Sequence, residues 1–102
     1  MAYFVLTTLR IKYGNLSRLT EVMNELVPDM RDRGWTLKGA YYPVIGNFHK
    51  VTHVWEIKDI ESLQPALEGL DSRPKIVDVV KRLAEFVEEE ELQLAIKTPY
   101  SP

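Results

Sequence analysis

Between residues 3 and 12 the chain carries β-branched and aromatic residues with no three- or four-residue period, which predicts a first strand. One face takes Tyr3, Val5, Thr7, Leu9 and Ile11, and the other takes Phe4, Leu6, Thr8 and Arg10. Both faces are mostly apolar, as in a strand covered on two sides. Gly14 and Asn15 interrupt the pattern, and Asn15 or Ser17 is placed to cap a helix. Leu16, Leu19, Met23, Leu26, Val27 and Met30 then recur mostly three and four apart, on one helical face. Pro28 is expected to kink that helix or to start a looser last turn, and Gly34, following Arg31 and Arg33, to end it.

Residues 35–45 read as a second strand, at an edge or bulged because of Pro43, with Gly46-Asn47 as a tight hairpin connection. Residues 49–57 read as a third strand, with Val51, His53, Trp55 and Ile57 on one face and Thr52, Val54 and Glu56 on the other. Asp59 caps a short helix bearing Leu63, Ala66, Leu67 and Leu70, interrupted at Gly69 and Asp71-Ser72-Arg73-Pro74. Pro74 opens a longer helix whose stripe is Ile76, Val79, Val80, Leu83, Phe86 and Val87. Residues 92–98 are the last strand and 99–102 a tail.

The order is strand, helix, strand, strand, helix, strand. That predicts one α+β domain over residues 1–102 of the ferredoxin-like βαββαβ class, a four-stranded antiparallel sheet with helices on one face. The other face would leave Phe4, Leu6, Val54 and Ala95 in water, and burial of such surface is favoured by roughly 25 cal/mol per Å². A second copy with the same face is the simplest cover, so a homodimer with two sheets face to face is expected.

Composition narrows the function classes. Of 102 residues, 45% are apolar and 27% charged, with a net charge of -2 and no run of Lys or Arg, which argues against a nucleic-acid partner. The absence of cysteine removes disulfides, thiolate nucleophiles and Cys-ligated zinc. The apolar start is short and lacks a basic flank, and no stretch approaches the roughly 18 apolar residues of a membrane span, so a cytoplasmic protein with no membrane partner is expected.

Four pieces of the chain resemble the NIPSNAP family of the dimeric α+β barrel superfamily. They are Leu9-Arg10-Ile11-Lys12-Tyr13-Gly14-Asn15-Leu16; Gly46-Asn47 leading to Val51-Thr52-His53-Val54-Trp55-Glu56-Ile57-Lys58-Asp59; the Asp71-Ser72-Arg73-Pro74 break; and the ending Thr98-Pro99-Tyr100-Ser101-Pro102. Three departures stand out. Asn47 directly follows Gly46, Ile57 replaces a common aromatic residue, and the break lacks the family's Trp. The resemblance implies a dimeric barrel with a ligand space between sheet and helices, in a superfamily of cofactor-free monooxygenases, haem-degrading monooxygenases, polyketide cyclases and muconolactone isomerases. Fold analogy of this kind does not choose among reactions.

Among candidate residues, His53 leads, because an imidazole at mid-strand can exchange a proton near neutral pH; the competing reading is a structural histidine satisfied by a neighbour. Thr7 shares its face by parity, Tyr41 is expected to orient a carbonyl or phenol, and Trp35 and Trp55 to wall a pocket for a flat apolar ligand, although such aromatics also serve as plain core. Asn47 and His49 flank the hairpin and could touch a ligand, though Gly-Asn is first of all turn chemistry. His49 and His53 lie about 13 Å apart along a strand, too far to share an ion, so no metal is expected, and no resident cofactor. Arg10 and Glu56 are expected on the face opposite His53, and the run 88–91 of four glutamates at a solvated helix end.

The function expected is therefore the binding of a small hydrophobic, aromatic or polyketide-like molecule. Cyclisation, isomerisation or cofactor-free oxygenation would follow, with His53 moving the proton. The alternatives are a non-catalytic dimeric scaffold or a haem-binding monooxygenase.

Overall fold

The computed structural model describes residues 2–68 and 74–102; the expected break at Gly69 and 71–73 lies outside them, as do the side chains of Ala66 and Leu67. The elements are β1 (Tyr3–Ile11), α1 (Leu16–Asp32), β2 (Trp35–Tyr41), β3 (Lys50–Ile57), a 3-10 turn (Ile60–Ser62), α2 (Leu63–Glu68), α3 (Pro74–Ala84) and β4 (Val87–Ala95). The strands form one antiparallel sheet in the order β2-β3-β1-β4, the ferredoxin-like arrangement.

Helices cover one sheet face. Leu9, Ile11 and Val51 from the sheet pack with Leu19 and Val22 of α1 and Val79 of α3, while Val5, Trp35, Trp55 and Ile57 pack with Met30. Arg82 of α3 reaches Glu25 of α1 at 2.6 Å, tying the helices together over the core. The other face carries Phe4, Leu6, Val54 and Ala95, all half-buried; Leu6 pairs with Val54 across β1 and β3, and Phe4 with Ala95 across β1 and β4.

Three expectations are corrected. The second strand ends at Tyr41 rather than 45, because Pro43 cannot donate to the ladder, and residues 42–49 form an open connection instead of a tight hairpin. Helix α3 stops at Ala84, since Phe86 turns inward (its N–H donates to Leu83 O at 3.1 Å) and its carbonyl accepts from Lys12 N–H at 2.9 Å. Chain 87–95 then joins β1, so Glu88 to Glu91 lie on an edge strand and not at a helix end, and the last strand ends at Ala95. Pro28 sits inside α1, which nonetheless runs on to Asp32.

Candidate functional site

Thr7 and His53 face each other across β1 and β3, and Ala40 of β2 stands on the far side of His53. They sit at the waist between the two apolar clusters. At 5% and 4% exposed, they are the buried polar residues among those described. Alternation explains the placement: Val5, Thr7, Leu9 and Val51, His53, Trp55 project together toward the helices. Trp55 meets His53 edge-on with ring centroids 6.3 Å apart, and Trp35 meets Trp55 at 6.0 Å. The Trp35 indole N–H donates to Ser62 O at 3.1 Å, so that ring is anchored as wall. Among the described residues neither ring nitrogen of His53 meets a hydrogen-bond partner.

His53 borders two spaces. Between sheet and helices, a cavity of about 80 Å³ that opens at the β4 edge is lined by Thr7, His53, Trp35, Trp55, Met23 and Glu90, with Leu9, Leu26, Met30, Leu83 and Leu92 around them. Outside, a groove of about 300 Å³ runs along α1 beside β2 and β3, lined by Leu16, Leu19, Met23, Val27, Leu37, Ala40 and His53 among others. A larger hollow of about 450 Å³ lies on the uncovered sheet face by Phe4, Lys38 and Glu56. It is an open dish with no imidazole near it, and it belongs to that face.

Burial holds the His53 imidazole below its ordinary 6.5. In the unfolded chain the ring takes up a proton near pH 6.5, and in the folded chain only at lower pH, so acidification through this window favours unfolding. The contribution is whole above about pH 6.5 and is lost as pH falls toward the depressed folded value. Urea midpoints followed from about pH 7.5 to about pH 5 should therefore fall more for the wild type than for His53→Gln, with the difference isolating this one group. Parallel curves would mean that the ring is not desolvated.

Thr7, Trp35 and Trp55 are thus gathered around His53. Tyr41 is not. A bulge between Leu37 and Gly39 shifts the register of β2, so Ala40 faces His53 while Tyr41 pairs with Thr52 on the other side. The Tyr41 ring lies back over Gly39, where an added Cβ would stand 2.4 Å from its hydroxyl oxygen. Tyr41 nonetheless lines the groove that His53 borders, together with Tyr42. Asn47 accepts from His49 N–H at 3.0 Å as turn chemistry, and His49 Nδ1 lies 3.2 Å from Ile11 O, so both fall away from the cavity.

Glu90 and Met23 were not singled out by sequence reasoning. A glutamate between Glu89 and Glu91 looks solvated, and only its alternation along β4 could have set it apart. No group of three or more metal-ligating side chains forms among the described residues, and no described helix is long and apolar enough to cross a membrane.

The family model for NIPSNAP matches residues 4–102. Solved structures show the same fold. A NIPSNAP domain protein from Burkholderia xenovorans superposes with a TM-score of 0.80 at 17% identity, covering 98% of both chains. A NIPSNAP family protein from Agrobacterium tumefaciens gives 0.86 at 18%, covering 100% of this chain and 98% of that one. A second from the same organism, of unknown function, gives 0.86 at 18%, covering 99% and 92%. Comparison with curated proteins gives no match.

Proposed function

The chain belongs to the NIPSNAP family, and from that premise and the geometry around His53 we propose that it binds a small hydrophobic, aromatic or polyketide-like molecule between sheet and helices, with His53 as the proton-transfer group. One observation carries the reading: a buried imidazole without a partner among the described residues borders a groove of about 300 Å³. That is the lower size for a ligand site, and a ring nitrogen without a protein partner beside it is available to a ligand. Thr7 lines the cavity on the other side of His53, where its hydroxyl would hold a polar end reaching past the ring, and Met23 lines both cavity and groove. A single neutral imidazole suits a cyclisation, an isomerisation or a cofactor-free oxygenation, each of which moves a proton at carbon or phenol oxygen.

The assembly proposed is a homodimer in which the uncovered faces around Leu6 and Val54 close on each other, leaving the groove by α1 on the outside. A second reading, a non-catalytic dimeric binding module, draws on the inner cavity, which at about 80 Å³ is too small for a metabolite by itself.

Titration with 2-naphthol, a neutral aromatic probe, tests the site. The wild type should bind it saturably, and His53→Ala should bind about 5- to 100-fold more weakly while keeping its circular dichroism. Equal binding by both proteins removes His53 from the site, and no binding by the wild type favours the second reading.

A further inference from the structure

Glu90 lines the inner cavity together with His53 and Thr7. Register explains how. Glu90 stands opposite Leu9 on one side of β1, and His53 stands opposite Thr7 on the other side, so both project to the helix face across the same strand. The flanking Glu89 and Glu91 point to the uncovered face, near Arg10 and Lys50. Glu90 makes no ion pair among the described residues.

We propose that Glu90 is the second polar wall of the His53 cavity, and that the pair selects a ligand with a neutral carbonyl or phenol head over an anionic one. The proposal deepens the small-molecule reading and rests on it. Neither the cavity nor the groove has a lysine or arginine in its lining, so an anion would enter without a counter-charge. An ionised Glu90 repels a carboxylate and accepts from a phenol hydroxyl, and that state favours the neutral head. Burial pushes the Glu90 carboxyl up from its ordinary value. The residue is nonetheless exposed along the sheet edge, and water there screens much of the penalty.

The surroundings contain few other charges. From α1 the cavity receives Met23, Leu26 and Met30, and from α3 Leu83, none of them titratable. Arg82, next to Leu83, is engaged by Glu25 at 2.6 Å and Asp78 at 3.0 Å. On the same strand, Glu88 is the extra, exposed residue of a bulge, and Val87 takes the next helix-side position opposite Ile11.

Two arms test the proposal on the full chain. In the first, the His53 ring is titrated by NMR without ligand, in the wild type and in Glu90→Gln. Loss of a nearby carboxylate should lower the His53 midpoint by about half a pH unit or more. An unchanged midpoint in a folded Glu90→Gln protein overturns the pairing. In the second arm, 2-naphthol and 2-naphthoate are compared at about pH 7.5, where only the acid is ionised. The wild type should prefer the naphthol by at least about tenfold, and Glu90→Gln should narrow that preference severalfold. A wild type that prefers naphthoate overturns the selectivity. A wild type that binds neither probe counts against the small-molecule reading, while the first arm still decides whether Glu90 faces His53.

Discussion

Trp35→Ala is expected to cost about 3–5 kcal/mol of folding stability, the range for removing a buried tryptophan. Trp35 is 2% exposed and packs with Met30, Trp55 and Ile57. Its removal leaves a void among large rigid neighbours, and it orphans Ser62 O, which accepts the indole N–H at 3.1 Å. Domains of this size hold about 5–15 kcal/mol in all, so the loss is a large share, and the melting temperature should fall by about 15–30 °C. Guanidinium melts should show a lower midpoint with an unchanged slope. Trp35→Phe, which refills most of the space, should recover much of the loss. A cost under about 1 kcal/mol would mean that the ring does not support the wall of the cavity.

Val54→Asp is the second large effect. Val54 lies between Leu6 of β1 and Gly39 of β2, in the middle of the sheet face that the helices leave open. In a monomer the new carboxylate meets water and costs little. In the proposed dimer both copies place one in an apolar interface, at about 2 kcal/mol or more each, which weakens association about a thousandfold. Sedimentation at micromolar protein should find the wild type dimeric and Val54→Asp monomeric, with its helices and strands intact. A wild type that sediments as a folded monomer removes the dimer, and with it the reason given for the apolar character of that face.

Much of this was legible in the residues and some was not, for identifiable reasons. The period-two alternation from Val51 to Ile57 placed His53 and Trp55 on the helix side, and parity in β1 put Thr7 with them. The ferredoxin-like order was likewise readable, since strand and helix periods change cleanly at Gly14, Gly34 and Asp59, while the family was readable only through its resemblance to stretches such as Val51-Thr52-His53-Val54-Trp55. The side of the sheet that Tyr41 takes was not legible, because parity counts fail across a bulge. Without the extra residue at Lys38-Gly39 it would share the side of Leu37, and the insertion hands that side to Ala40. The start of β4 was hidden for a different cause. Leu83, Phe86 and Val87 continue a helical spacing, and only tertiary burial of Phe86 ends the helix and sends the glutamates into the sheet.

That acidic strand has a consequence for how the protein behaves in a crowd. β4 is an outer strand, with one row of backbone groups facing no strand among the described residues, the arrangement by which sheets recruit strays and grow sideways. Four consecutive glutamates line this border, and a second molecule offering its own β4 would bring four more against them. Mutual repulsion guards the flank at neutral pH, most strongly in dilute salt, and the guard weakens once acid neutralises the carboxylates.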